Sequence, residues 1–186
     1  MSSDSEPDAE MGALADWPGG ASQEQRDAHY RAQRWAHVLS WQVERLHDAR
    51  RRAMDQFEQV RASGLYPDAT RWAFMEMEAE AHFTLVSARQ LIRALRAFDG
   101  LERLPATLSN STLRDVRDAL EHWDAPGGSQ AAKRLQDRGL DPFAHSWSRT
   151  GPGVLGEAIA DATLKEWADE VYQTLSTWDP YDGWVK

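Results

Sequence analysis

The sequence predicts an all-α fold, an up-down four-helix bundle, and three observations lead to that prediction. Apolar residues recur at spacings of three and four over long stretches, which is the period of an amphipathic helix. Clusters of Gly, Pro, Asp and Asn divide these stretches into segments of helical length. The chain has 186 residues, 41% of them apolar and none of them cysteine. That length supports one domain whose core needs neither a disulfide nor a metal.

The first predicted helix is about 40 residues long and ends at Gly64. Ser22 is a candidate N-cap, and Gln25 stands three residues later, as in a capping box. A run of three arginines at 50–52 marks the place where so long a helix would break. Its apolar stripe consists of Trp35, Leu39, Val43, Leu46, Ala49, Ala53, Phe57 and Val60.

The second predicted helix follows a turn at 66–68 and spans about 69–98. It has one apolar stripe along its whole length and a second one on its first half. A helix that is apolar on two faces contacts more than one partner, which indicates a bundle centre or a dimer interface. The main stripe is Phe74, Met77, Ala81, Leu85, Ala88, Ile92 and Leu95, and the second is Trp72, Met75, Ala79, Phe83 and Val86.

The remaining elements are shorter. A third helix begins after the cluster at 109–111 and ends before the Pro-Gly-Gly at 126–128, and a short helix over 131–138 follows. A small β-hairpin is expected between helices three and four, pairing 143–147 with 154–159 around Gly151-Pro152-Gly153. The last helix begins near Asp161, a candidate N-cap.

Charge and composition set the expected domain limits and location. Residues 1–21 hold five acids and no Lys or Arg, in a chain of net charge -9, and are expected to form a disordered acidic tail. Residues 22–178 form the predicted helical domain and 179–186 a C-terminal tail. The apolar runs are far shorter than the ~18 residues that span a bilayer. We therefore expect a cytoplasmic protein without membrane contact, and an acidic chain gives no general support for nucleic-acid binding.

Two motifs have a structural interpretation. Residues 151–156 match GxGxxG, but the dinucleotide fingerprint needs a βαβ unit, and Pro152 lacks the backbone donor that a pyrophosphate uses. Glu44 and His47 form a single ExxH, whereas di-iron bundles use two such motifs with two further glutamates. We expect a turn and an ordinary helix histidine, and neither a cofactor nor a metal.

The third motif lies in the third predicted helix. Arg117, Asp118 and His122 follow the pattern of Arg, a polar residue, three residues and His. This string, in RDVRDALEHWD at 114–124, and the order of the helices resemble the HEPN (higher eukaryotes and prokaryotes nucleotide-binding) superfamily. The resemblance in sequence covers about a dozen residues, whereas the resemblance in helix order covers 22–178.

The resemblance implies a metal-independent endoribonuclease of toxin or defence type. Two protomers would form a homodimer that brings two sets of Arg117 and His122 to one RNA-binding cleft. His122 would transfer a proton, Arg117 would hold the phosphate, and Asp118 would complete the motif. A toxin of this kind would also have a neutralising partner protein.

Two other interpretations remain open: a non-catalytic HEPN-like module that binds a partner protein, and an unrelated helical bundle. On a straight helix Arg117 and His122 point about 140° apart. The pairs Asp118–His122 and Arg117–Glu121, each at i and i+4, are ordinary surface pairs. His82 is expected to point into the bundle close to the third helix, whereas His29 and His37 are expected to be solvated.

Overall fold

The computed structural model describes residues 22–99, 104–122, 129–141 and 153–177. Within these residues it confirms an all-α fold, with five helices and a two-stranded sheet instead of four helices. The helices are α1 (Gln23–Ser63), α2 (Asp68–Asp99), α3 (Asn110–Glu121), α4 (Gln130–Gln136) and α5 (Asp161–Ser176), and the strands are β1 (Val154–Leu155) and β2 (Ile159–Ala160).

Helix α1 is continuous, and the expected break at its three arginines does not occur. Ser22 accepts a hydrogen bond from the Gln25 amide, and the Gln25 side chain accepts one from the Ser22 amide, so the capping box is present. The helix ends because Gly64 adopts φ 68°, a left-handed conformation that glycine takes without a steric penalty. Arg50 does not break the helix because its side chain is buried and paired.

Helix α2 runs antiparallel to α1, and their interface forms the largest part of the core. Its main apolar stripe is buried as predicted, with Met77, Leu85 and Ile92 at most 1% exposed. A polar contact crosses the same interface, where Gln42 and Arg45 of α1 both donate hydrogen bonds to the Glu80 carboxylate.

Helices α5 and α3 flank this pair on opposite sides. Helix α5 is antiparallel to α1, because Leu175 lies at His29 and Asp161 lies at His47. Helix α3 is antiparallel to α2, because Asn110 contacts Arg89 and Glu121 lies near His82. The short α4 packs on α3. The domain is therefore built around α1 and α2, with the predicted site helix α3 on the outer side of α2.

The predicted pairing of 143–147 with 154–159 is not the hairpin that the structure shows. Residues 142–152 lie outside the described residues, and the observed hairpin pairs Val154 with Ala160 and Leu155 with Ile159. Both observed strands therefore lie within or next to the second predicted strand, 154–159. The chain turns back between them at 156–158, where Gly156 and Glu157 have φ 55°. This hairpin leads directly into α5.

Asp161 is not the N-cap of α5. The N-cap is Ala160, which makes no side-chain cap hydrogen bond, and Asp161 is the first helical residue with its carboxylate buried. None of the described helices is long and apolar enough to cross a membrane. The two predicted tails, 1–21 and 179–186, lie outside the described residues. The predicted domain limits therefore stay predictions.

Candidate functional site

Arg117 lies in the middle of α3 on the side that faces α2. The helix begins at the Ser109 cap, whose hydroxyl accepts from the Thr112 amide, and packs its apolar side, including Leu113 and Val116, into the core. The Arg117 Nε donates to Asp118 Oδ1 at 3.0 Å and lies 3.4 Å from Glu121 Oε2. The predicted Arg117–Glu121 pair is therefore present, and a second acid also holds the guanidinium.

His122 is the C-cap residue of the same helix. Its backbone has φ -122° and ψ 33°, and its amide donates to the Asp118 carbonyl at 3.1 Å. The imidazole is exposed and makes no hydrogen bond or ion pair within the described residues, so the expected Asp118–His122 pair is absent there. The structure does not bring His122 into contact with Arg117 in a single chain.

His82 lies on the other side of the same carboxylate. Its Nε2 is 3.8 Å from Glu121 Oε1, and its ring centroid is 5.9 Å from that of Phe83. The side chain is 29% exposed, so His82 borders the α2–α3 contact and is accessible to solvent. His82 lies close to the third helix as expected, but it does not point into the bundle interior. Glu121 thus stands between the imidazole of α2 and the guanidinium of α3.

Four arginines, Arg89, Arg96, Arg114 and Arg117, form what we call the arginine cluster along the α2–α3 contact. Burial lowers the pKa of Arg89, and the positive charges of Arg117 and Arg114 lower it further, with a smaller effect from Arg96. Asp118 acts in the opposite direction. Arg117 and Arg114 therefore lie close enough to Arg89 to disfavour its charged form.

The surroundings of the arginine cluster carry a local positive charge in an acidic chain. The described residues of 82–98, 104–122 and 129–141 hold eight Lys and Arg against five Asp and Glu, although the whole chain has net charge -9. The excess of positive charge comes from α2, because 82–98 holds Arg89, Arg93 and Arg96 and no acid, whereas α3 itself holds two arginines and three acids. Sequence composition alone did not reveal this, because the charges come together only through folding.

A neighbouring carboxylate, that of Asp115, is buried and forms two ion pairs. It is 4% exposed and pairs with Arg134 and Arg138 of the α4 region, both at 2.7 Å. Burial alone would raise the pKa of Asp115, but the hydrogen bond and charge of Arg134, with Arg114 and Arg138, hold it below its usual value. Asp115 therefore anchors α4 to α3 and does not add an available acid to the site.

The two residues of the ExxH motif each contact α5. His47 Nε2 lies 3.0 Å from Asp161 Oδ2, while Glu44 pairs with Lys165 at 3.2 Å. No group of three or more His, Cys, Asp and Glu residues arranged to hold a metal occurs in the described part of the chain.

The GxGxxG segment is described from Gly153 onwards and forms a turn and strand. The Gly153 amide donates to both carboxylate oxygens of Asp161, at 3.0 and 3.2 Å. Arg50 pairs with the same carboxylate, and both side chains are buried. Sequence reasoning missed this Arg50–Asp161 pair, since 111 residues separate the partners.

Large apolar side chains remain exposed on the outer face of α2. Trp72, Met75 and Phe83 are 65%, 47% and 54% exposed, so the second predicted stripe is real and is not covered within the described residues. A surface groove of about 540 Å³ lies beside Trp72, between α1 and α2, and contains none of the predicted site residues. Phe83, by contrast, borders the arginine cluster through its contact with His82.

Comparison of the chain with models of protein families, with curated proteins and with solved structures finds no match.

Proposed function

We propose that this chain is a HEPN-like, metal-independent endoribonuclease that acts as a homodimer. The observation that supports the proposal most is the position of Arg117 within the arginine cluster, in a locally positive part of an acidic protein. Guanidinium groups fork onto two phosphate oxygens, which makes such a cluster suitable for a phosphodiester. His122 stands at the C-terminal end of the same helix.

Arg117 must exchange a carboxylate partner for phosphate in this reaction. Its side chain is 27% exposed and that of Glu121 is 36% exposed, and such a surface pair at i and i+4 contributes about 0.5 kcal/mol at most. A charge-assisted hydrogen bond to phosphate contributes about 1.5–3 kcal/mol. The phosphate contact is therefore stronger than the Glu121 pair, and Arg117 must also release Asp118, which accepts from its Nε.

The proposed chemistry uses the 2′-hydroxyl of the substrate as the nucleophile. A histidine removes its proton as the oxygen attacks the neighbouring phosphorus, and the bond to the 5′-oxygen breaks, which leaves a 2′,3′-cyclic phosphate. A protonated histidine supplies the proton that the leaving 5′-oxygen requires. Arg117 offsets the negative charge that accumulates on the phosphate oxygens. Two histidines are needed, and the dimer would supply two copies of His122.

The exposed face of α2 supports the dimer. Aromatic side chains have about 150–250 Å² of surface each, and Trp72 and Phe83 expose more than half of theirs. A second copy on this face would cover apolar surface that water now contacts. Because Phe83 adjoins His82 and His82 adjoins Glu121, a dimer formed here would place two α3 helices near one another.

The experiment is cleavage of single-stranded RNA in the presence of a chelator. We expect products with 2′,3′-cyclic phosphate ends and no cleavage of DNA, because DNA lacks the attacking hydroxyl. His122→Ala and Arg117→Ala should each lower the rate by about 10²–10⁴. His37→Ala and Arg61→Ala are matched controls, because both residues are exposed and lie on α1 away from the site. Undiminished cleavage by the His122→Ala protein would refute the assignment.

The second candidate is a non-catalytic module that binds a partner protein. It is favoured by the contacts of Arg117 with Asp118 and Glu121 and by its separation from His122 in a single chain. This alternative requires purified protein that leaves every tested RNA intact. It also requires that Trp72→Ser and Met75→Ser, but not Arg117→Ala, abolish capture of the partner.

A further inference from the structure

Arg89 is the member of the arginine cluster that the RxxxxH motif does not include. It lies on α2, partly buried, and its Nη1 donates to Asn110 Oδ1 at the start of α3. Its Nε is buried and has no hydrogen-bond partner among the described residues. A buried donor without an acceptor costs about 1–3 kcal/mol. Neither packing in the core nor the hydrogen bond to Asn110 accounts for an incompletely bonded arginine at this position.

Arg114 extends the cluster along α3 beside Arg117. Asn110, Arg114 and Arg117 are spaced by four and three residues, so they follow one side of the helix. The first and last are about 10 Å apart along the axis. Arg114 is 51% exposed, and its contact with Asp115 is a distant one at 3.7 Å, since that carboxylate is already held by Arg134 and Arg138. Its guanidinium is available to a ligand.

The combination of these groups favours a nucleic-acid strand over an acidic peptide. Arginines in a row on one side of a helix suit the repeated phosphates of a backbone.

We infer that Arg89 and Arg114 form a second phosphate-binding subsite, which holds the phosphodiester next to the one that Arg117 contacts on a single-stranded RNA. The inference extends the proposed function, since it assigns the path of the substrate across α2 and α3. The incoming phosphate accepts a hydrogen bond from the Arg89 Nε, which has no acceptor among the described residues.

The test measures binding separately from cleavage. The probe is a fluorescent oligoribonucleotide with 2′-O-methyl groups, which cannot be cut because the attacking hydroxyl is blocked. Fluorescence anisotropy gives the Kd between about 50 and 200 mM salt, and each phosphate contact contributes about 0.7 to the slope of log K against log salt for a single strand. Arg89→Gln and Arg114→Gln should each reduce the slope by about 0.7 and weaken binding roughly three- to tenfold.

The control variants separate charge from structure. Arg61→Gln removes an exposed arginine at the end of α1 and should change neither the slope nor the Kd. Arg89→Lys keeps the charge and should keep the slope. Arg114→Gln alters an exposed side chain, so it retains a folded protein for the test if Arg89→Gln does not fold. A slope that stays unchanged in both the Arg89→Gln and Arg114→Gln proteins overturns the proposal.

Other outcomes identify the ligand and distinguish the two proposals. Equal affinity for DNA of the same sequence supports recognition of the phosphate backbone. Binding of polyglutamate without binding of the oligonucleotide assigns the cluster to an acidic protein and overturns the inference. If the 2′-O-methyl strand binds through Arg89 but unmodified RNA is never cut, the subsite stands and the ribonuclease proposal fails. If RNA is cut and neither Arg89→Gln nor Arg114→Gln changes binding or cleavage, the ribonuclease proposal stands and the subsite fails.

Discussion

The Arg50–Asp161 pair is expected to be the most important polar interaction for the stability of this domain. The two side chains are 3% and 0% exposed, and the carboxylate also contacts His47 and accepts from the Gly153 amide. In Asp161→Asn, Arg50 keeps its charge in a buried place, and breaking a buried pair in this way costs about 3–5 kcal/mol. Asparagine retains one acceptor for Gly153, so we expect a loss of about 3 kcal/mol.

Urea unfolding followed by circular dichroism measures this loss. With a slope of about 2 kcal/mol per molar, the midpoint should fall by about 1.5 M. Asp169→Asn is the matched control, because this carboxylate pairs with Lys165 on the same helices but is 50% exposed, and its loss should stay below about 1 kcal/mol. Combining Arg50→Met with Asp161→Asn should cost less than the sum of the single changes. A loss below 1 kcal/mol for Asp161→Asn alone would refute the reasoning.

Three further predictions follow from the same contacts. Asp115→Asn should destabilise the protein at pH 7, and the difference from wild type in urea titrations should shrink below pH ~4, because a lowered pKa stabilises the folded state only while the carboxylate is ionised. Gly153→Ala should lower the free energy of unfolding by about 1–3 kcal/mol, since the new Cβ would overlap the Arg50 guanidinium; a melting temperature equal to wild type would contradict this. Light scattering should show a dimer in the micromolar range, and Trp72→Ser with Phe83→Ser should yield monomers; a wild-type monomer would remove the support for a shared site.

The helices were predictable because their signals are local. The capping box at Ser22, the left-handed Gly64 and the Ser109 cap each depend on residues within one turn. The same locality explains why α4 could be placed within about two residues of its observed ends.

What could not be predicted depends on residues that are distant in sequence. His29 was expected to be solvated, but it is 4% exposed because its ring bonds the Leu175 carbonyl at the end of α5. A break of the first helix was expected near Arg50, whereas α1 is continuous and Asp161 from the far end of the chain pairs with Arg50. Arg89 lies among buried residues of α2, and only the position of α3 makes it part of a site. Phe57 belongs to a correct stripe but is 43% exposed, because its end of the hairpin lies outside the core.

At one end of the hairpin formed by α1 and α2 every side chain is at least partly exposed. From residue 54 to residue 69 no side chain falls in the buried class, although Ala53 and Thr70 are completely buried. This end can open without exposing the core, so its amides should exchange with solvent far sooner than those near Leu85. It is also the place where the chain should accept a foreign loop or a small inserted domain, between Gly64 and Leu65, while the remaining helices keep their fold.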